Sequence, residues 1–521
     1  MNQKDILLCT LNSTYQHSSF GLRYLLANLG PLKEKAQLIE WTIKESPLTI
    51  VEKILQFQPL IVGFGVYIWN TTETLEVLML LKKVAPKIKI VLGGPEISYE
   101  TVKQEHVKWC DYVIQGEADF AFRDFCHNLL NEGILPAQPI VSALLPEIKN
   151  IALPYDLYTD DDIKNRVIYV EASRGCPYKC EYCLSSLDKS VRNFDLAQFH
   201  SAMKKLINRG ARTFKFVDRT FNLSPTTSTS ILQFFLQHID LGLFLHFELV
   251  PDRLPQEIRN FIQKFPAGSL QFEVGIQTLN PIVAAHVSRK NDLVKVEENF
   301  KYIREHTHVH THADLIVGLP GEDLNSFAMG FDRLALMGPD EIQVGILKRL
   351  KGTPIARHEI AFQMLYSEMP PFQILSTSTM DFFTLQKMNR FAKFWDLYAN
   401  SGEFKNFMVW IKIELRPADS YFWKFFAFTE YLHIYFKETH SISLMNLAEK
   451  AWRFMLDQGV TEMHAHTTIE NDFCFGPKRR DLPPFLKKPQ SSRAINENYS
   501  VKVLNRRQMN HTQSVLTSDP I

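Results

Sequence analysis

The chain has 521 residues, a net charge of +1, and 45% hydrophobic against 22% charged residues, the balance of an ordinary globular protein of two or three domains. A near-neutral charge gives no reason to expect a nucleic-acid partner, and no stretch reaches membrane-spanning length. Seven cysteines in this length are too few and too scattered for a disulfide framework; they fit a reducing, cytoplasmic setting in which a cysteine cluster binds metal.

Residues 1–135 alternate strand-like and helix-like segments, the pattern of a parallel sheet with crossover helices. Strands are expected at Ile6-Leu7-Leu8, Gln37 to Trp41, Leu60 to Gly65, Ile88 to Leu92 and Tyr112 to Ile114. Helices are expected at Phe20 to Leu29, Ile50 to Phe57, Thr72 to Val84, between Glu96 and Tyr112, and at Glu117 to Leu130. Glycines stand at the strand C-terminal ends: Gly63, Gly65, Gly93, Gly94 and Gly116. Open α/β sheets bind ligands there, and glycine lets backbone come close, although βα turns use glycine in any case. No GxGxxG or P-loop pattern is present, which disfavours a dinucleotide or ATP. Residues 136–165 form a proline-broken connection, and Asp160-Asp161-Asp162 reads as a solvated turn or a helix start.

Over 166–355 the alternation resumes. Expected strands are Val167–Ser173, Thr213–Asp218, Phe244–Glu248, Leu270–Gln277, His310–Val317 and Glu341–Leu347, with helices between them. Six βα units make a partial barrel, with function at the strand C-terminal ends. After the first strand comes Cys176-Pro177-Tyr178-Lys179-Cys180-Glu181-Tyr182-Cys183. Thiolates at CxxxCxxC spacing suit an iron–sulfur cluster one ligand short; zinc would ask for a fourth Cys or His close by, and plain burial is the third reading. Glu273, Gly275 and Gln277 share one strand face, where Glu and Gln need polar partners. His308, His310 and His312 alternate into Asp314, so a metal site and a pocket or proton-carrying role for His312 are both open. Residues 370–475 place Phe, Tyr and Trp at helical spacings, the mark of a helical bundle core, with Cys474 read as packing. The tail, 488–521, is polar and reads as disordered.

The three-cysteine stretch resembles the signature loop of the radical SAM superfamily. The resemblance implies a [4Fe-4S] cluster ligated by Cys176, Cys180 and Cys183, with S-adenosyl-L-methionine chelating the fourth iron and Tyr182 near its adenine. Phe272 to Gln277 resembles the fourth-strand motif, which implies that Glu273 and Gln277 lie near the S-adenosylmethionine ribose and the active site. Asp314 to Glu322 resembles the fifth-strand motif, with Gly318 and Gly321 admitting the adenine. The family's GGE-like motif is missing from Phe216 to Asn222, so Asp218 is the substitute acceptor for the methionine amine, with Asn222 assisting.

With this core behind it, residues 1–135 resemble the cobalamin-binding, flavodoxin-like domain that precedes many radical SAM barrels. Gly65, Gly93, Gly94 and Gly116 are the implied cobalamin positions. The DxHxxG motif of His-on cobalamin proteins is altered at Tyr15 to Gly21: the Asp is missing and the Gly is one residue late. Base-off cobalamin without ligation by His17 is therefore expected. The resemblance as a whole is to cobalamin (B12)-binding radical SAM proteins with a helical C-terminal domain. It implies methylation of an unactivated carbon of a substrate, a small molecule or another, that the sequence does not identify, with reduction by a carrier such as flavodoxin or ferredoxin. Radical rearrangement or cyclisation without methyl transfer, and a non-catalytic cobalamin or redox sensor, are the alternatives. Methylthio transfer to tRNA is disfavoured by the lack of a second three-cysteine cluster.

Overall fold

The computed structural model describes residues 3–416, 420–436, 438–474 and 483–486; the polar tail 488–521 lies outside them. Two compact units emerge: Met1–Thr220 with Lys348–Ala356 and Tyr366–Gln373, and Phe221–Leu347 with Arg357–Leu365 and the chain from Ile374 onward.

Unit 1 begins with a parallel sheet of β1 (Ile6–Asn12), β2 (Ala36–Thr42), β3 (Ile61–Gly65), β4 (Lys89–Gly93), β5 (Tyr112–Gln115) and β6 (Ile140–Ser142). Their order is β2-β1-β3-β4-β5-β6, the doubly wound arrangement with its switch point between β1 and β3. All of β1 is buried, as befits a central strand covered on both faces. Alternation divides the core. Leu7, Cys9, Val62 and Phe64 face α2 (Pro47–Leu55) and α3 (Thr71–Val84), while Ile6, Leu8, Val91 and Ile114 face α1 (Phe20–Ala27) and α4 (Asp119–His127).

The helix expected between Glu96 and Tyr112 is replaced by two 3₁₀ turns, Thr101–Lys103 and Glu105–Trp109. Glu100 is left-handed there (φ 51°), and the Gln104 amide donates to the Glu96 and Tyr99 carbonyls at 2.8 Å each. Side chains thus take the bonds that a helix ladder would use. The same segment is gripped by residues 348–353. The Lys351 ammonium bonds buried Glu96 and also Gln104 at 3.2 Å, and Arg349 pairs with Glu100 at 3.0 Å.

The acidic triplet starts α5 (Asp160–Asn165) through a capping box of Thr159 and Asp162. Asp162 is buried against Arg23 at 2.8 Å and Arg166 at 3.3 Å, so that carboxylate serves an ion-pair network and not solvent. Next come β7 (Ile168–Val170), the antiparallel pair β8 (Ser173–Arg174) and β9 (Arg192–Asn193), α6 (Leu196–Asn208) and β10 (Thr213–Phe216), which runs parallel to β7. The connection contributes two buried tyrosines to β7. Tyr158 Oη accepts from the Tyr169 N–H at 3.1 Å and donates to its carbonyl at 2.8 Å. Tyr155 Oη does the same at Glu171, at 3.1 and 3.0 Å.

Unit 2 holds four parallel strands, β11 (Phe244–Leu249), β12 (Leu270–Gln277), β13 (His310–Val317) and β14 (Glu341–Ile346), each paired with the next. Around them are α7 (Pro225–Leu236), α8 (Gln256–Ile262), α9 (Pro281–His286), α10 (Leu293–His306) and α11 (Leu324–Met337). The apolar alternation Leu245/Phe247/Leu249, Phe272/Val274/Ile276 and Ala313/Leu315/Val317 is buried, which leaves the other face of each strand polar and half-exposed.

The C-terminal helices α12 (Phe382–Trp395), α13 (Lys405–Ile413), α14 (Tyr421–Tyr435), α15 (Leu444–Asp457) and α16 (Glu462–Cys474) share the core of this unit. Phe331 of α11 meets Phe391, Trp395 and Phe422 edge-on at 4.8–5.7 Å, and Asn400 bonds both backbone groups of Ile342. The aromatic residues at helical spacing thus pack among themselves and on α11, as expected of a bundle core. Cys474, read as a packing residue, is exposed. Among the described residues no helix is long and apolar enough to cross a membrane.

Candidate functional site

On the α1/α4 side of the first sheet lies a cavity of about 240 Å³. Its origin is the alternation of the strands. Gly63 and Gly65 fall on the face of Leu8, and Gly93 on that of Val91, so the sheet is bare where those strands end. Gly65, Gly93, Gly94 and Gly116 all line it, with Leu22, Tyr24, Tyr67, Phe122, Glu117, Asp119, Glu171 and Arg174. Gly94 is left-handed (φ 104°), and a Cβ there would stand 2.6 Å from the Val66 carbonyl oxygen, so only glycine fits this turn. His17 points elsewhere: its Nδ1 lies 2.6 Å from the Tyr169 hydroxyl.

The rim of the cavity is ionic. Arg174 reaches Glu117 (2.8 Å), Asp119 (3.0 Å) and Glu171 (2.9 Å), and its guanidinium lies 4.5 Å over the Tyr24 ring. Burial disfavours the Arg174 charge, but Glu171 and Asp119 outweigh it and raise its pKa. Burial likewise raises the Glu171 carboxyl, against the pull of Arg174.

Arg174 leads into the cysteine loop. Cys176 and Cys180 are buried, Cys183 is half-buried, and none is in a disulfide. Gly175 (φ 92°) has no room for a Cβ, which would overlap the Ser190 carbonyl. Cys176 N–H donates to the Asp188 carbonyl at 2.9 Å. Burial raises the Cys176 thiol pKa, and the charges of Cys183 and Cys180 raise it further. Among the described residues no three His, Cys, Asp or Glu side chains are grouped as for a single metal ion. Three thiol donors in one loop, with no fourth Cys or His beside them in sequence, suit an iron–sulfur cluster that leaves one iron for another ligand. Tyr182 sits in the same loop, half-buried.

Asp218, expected to accept from a methionine amine, is instead engaged at the base of this loop. Its oxygens accept from Ala172 N–H (3.0 and 3.2 Å) and from Ser173 Oγ (2.6 Å). Burial raises its pKa to about 7, while the Ser173 and Ala172 bonds oppose the shift. Asn222 is likewise occupied, bonding Val250 through both its amide atoms (2.8 and 2.9 Å) and the Arg253 carbonyl.

In unit 2 the half-exposed faces of β11–β13 bring together His246, Glu248, Glu273, Gln277, His312 and Asp314. Glu273 and His312 are register partners. The polar partner expected for Glu273 comes from the chain: His246 Nε2 lies 2.9 Å from its Oε2. Gln277 is left-handed (φ 71°), after a register shift that follows Gly275. Its amide nitrogen lies where a Cβ on Gly275 would be, at 2.6 Å, and its buried Oε1 has no partner among the described residues. His310 pairs with Glu341 at 3.0 Å, and His312 stands 3.9 Å from Asp314.

Gly318 and Gly321 are both left-handed, but what they admit is protein: Ile374 at Gly318, and Phe362 with His286 at Gly321. Glu322, beside them, is buried with its pKa raised to about 7 by burial, and it accepts from Thr278 Oγ1 at 2.6 Å. Arg174, Glu171, Glu117, Asp119 and His246 were missed as site residues. His246 and Glu248 were legible as an i, i+2 polar pair in an otherwise apolar strand; Arg174 and its three carboxylate partners meet only in the fold.

A doubly wound sheet with a glycine-bared cavity, followed by βα units that carry a three-thiol loop after their first strand, defines a two-part α/β protein of metallocofactor chemistry. Comparison agrees. Residues 6–125 match the B12 binding domain, 170–334 the radical SAM superfamily, and 361–518 a domain described as a protein of unknown function (DUF4080). The chain is thus a cobalamin (B12)-binding radical SAM enzyme with a C-terminal domain of unassigned role.

An uncharacterized methyltransferase of Pyrococcus horikoshii is 21% identical over 66% of this chain and 79% of its own. The cobalamin-dependent radical SAM methyltransferase TokK of Streptomyces tokunonensis is 22% identical over 56% of this chain, which spans 47% of TokK. Among solved structures, the cobalamin-dependent S-adenosylmethionine radical enzyme OxsB superposes with a TM-score of 0.60 at 12% identity, over 90% of this chain and 79% of that one. The radical S-adenosylmethionine methyltransferase TsrM of Kitasatospora setae gives 0.57 at 15%, over 71% and 79%. At these identities the likeness is one of fold.

Proposed function

We propose that the protein is a cobalamin-dependent radical SAM methyltransferase acting on an unactivated carbon of a small molecule. The observation that carries this reading is the presence, in one compact unit, of the glycine-bared cavity and the three-thiol loop joined through Arg174. The methyltransferase names of its relatives support the choice of reaction. Cys176, Cys180 and Cys183 hold the [4Fe-4S] cluster, with Tyr182 beside S-adenosylmethionine. Gly65, Gly93, Gly94 and Gly116 let cobalamin lie against bare backbone.

When bound, the cluster and S-adenosylmethionine supply an adenosyl radical, and cobalamin supplies a transferable methyl group; the protein supplies position and the exclusion of water. Asp218 holds the base of the cysteine loop. Gly318 and Gly321 shape the turn after β13. Glu273, fixed by His246, presents a carboxylate on the polar strand face, Gln277 offers an unfilled acceptor, and His312 beside Asp314 is placed to carry a proton. A small electron carrier such as flavodoxin or ferredoxin completes the scheme.

The test is anaerobic reconstitution with iron, sulfide and cobalamin, then product analysis with S-adenosylmethionine and reductant. Joint formation of 5′-deoxyadenosine and S-adenosylhomocysteine supports methylation. Deoxyadenosine alone points to rearrangement, and bound cobalamin with an intact cluster but no cleavage points to a sensor. Cys180→Ala is expected to lose the visible absorption of the cluster; retention of that absorption overturns the ligand assignment.

A further inference from the structure

Arg174 stands two residues before Cys176 and also in the wall of the glycine-lined cavity. It is the hub of a closed circuit. Its Nη1 bonds Glu117 and Asp119, at 2.8 and 3.0 Å, on the Gly116–Asp119 turn that lines the cavity. Its Nε bonds Glu171 at 2.9 Å, at the end of the strand that feeds the cysteine loop. Onward along the chain, Cys176 N–H is held by the Asp188 carbonyl. Arg192 bonds the Asp188 side chain at 2.9 Å and returns to Glu117. The cavity turn and the cysteine loop therefore cannot shift independently while these bonds are kept.

We propose that Arg174 is a positioning residue that couples the two cofactor sites, so that a corrinoid in the cavity and an iron–sulfur cluster on the loop each tighten the binding of the other. This rests on the assignment of cavity and loop made above. A ligand filling the cavity fixes the 116–119 turn, whose carboxylates then hold Arg174 in the position that seats Gly175 and Cys176. The reverse must hold equally, because coupling between binding sites is reciprocal. The geometry asks for arginine: one planar fork serves three carboxylates at fixed angles, which a lysine ammonium cannot do.

The experiment titrates cobalamin into the full-length protein with and without a reconstituted cluster, reading corrinoid absorption after equilibrium dialysis, with iron content as the second readout. Cluster loading is expected to tighten cobalamin about ten-fold in the natural protein, within the range usual for coupled sites. In Arg174→Lys the ratio of the two affinities is expected to fall to near one. A purely structural role would weaken both affinities and leave their ratio unchanged. Should Arg174→Lys fail to fold, Asp119→Asn and Glu117→Gln each remove one arm and are expected to lower the ratio. A ratio near one in the natural protein, or a ten-fold ratio kept in all variants, overturns the coupling. Failure of the natural protein to bind cobalamin or to assemble a cluster overturns the assignment beneath it, and the coupling with it.

Discussion

Gly93→Leu separates the cavity from the fold. Gly93 ends β4 with an ordinary φ, and a Cβ there would meet only the Ile114 carbonyl oxygen, at 3.6 Å. A leucine side chain therefore has a place to go: the cavity of about 240 Å³ that Gly93 lines. Burying its four carbons contributes about 3 kcal/mol at ~0.8 kcal/mol per methylene. Imperfect fit and rotamer restriction cost about 1–3 kcal/mol. Stability in the absence of cofactor is thus expected to stay within about 2 kcal/mol of the natural protein, read as the urea midpoint. Cobalamin loses its seat, and its affinity is expected to fall by a factor of about 100 or more, equivalent to about 3 kcal/mol. Undiminished cobalamin binding would refute the cavity as the corrinoid site. Unfolding of the variant would refute the claim that the bared sheet leaves room.

Three further expectations concern the loop and its supports. Gly175→Ala places alanine at φ 92°, which costs about 1–2 kcal/mol by itself, and drives its Cβ into the Ser190 carbonyl; most of the reconstituted iron should be lost, and a full complement would contradict this. Asp218 has a folded pKa of about 7 against an ordinary 3.8, so the folded state holds its proton more tightly than the unfolded chain does. The stability this confers is complete below pH 4 and fades as pH rises to 7. Asp218→Asn should therefore flatten the pH dependence of the unfolding free energy, read by urea titration, by about 2 kcal/mol between pH 5 and 7; equal slopes would exclude the shift. Lys351→Met strands the buried Glu96 carboxylate, a loss of about 3–5 kcal/mol, and adding Glu96→Gln should restore most of it. An additive double mutant would show that the pair does not interact.

Much of this arrangement could be read from local pattern. The ends of β12, β13 and α6 fall where alternation and capping residues place them, because a strand with one buried face or a helix with a strong cap fixes its own limits. The thiol spacing and the strand-end glycines were legible for the same reason: each is a local feature. What escaped was set by distant partners. The segment 96–109 has helix-compatible residues but is held as 3₁₀ turns by Gln104 and by Lys351, some 250 positions away in sequence. Asp218 looked like a free acceptor because the backbone it caps, Ala172 and Ser173, lies on another strand. The polar partner that Glu273 calls for is His246, 27 residues upstream and on another strand, where local pattern does not point. A polar residue in a strand announces that it has a partner, not which one.

The two tyrosines on β7 carry a consequence for assembly. In a parallel ladder each second residue offers its N–H and C=O to the same side; Tyr169 of β7, and Glu171 just past its end, turn theirs to the tyrosine hydroxyls and not to β10. One phenolic oxygen at each both accepts and donates, satisfying the pair of groups that a neighbouring peptide would otherwise recruit. The strand that leads into the thiol loop is therefore closed to sheet extension by another chain without help from a further strand. It is also anchored at two successive teeth of its ladder, so a slip of register would have to break four hydrogen bonds at once before the cysteines could move along the chain direction.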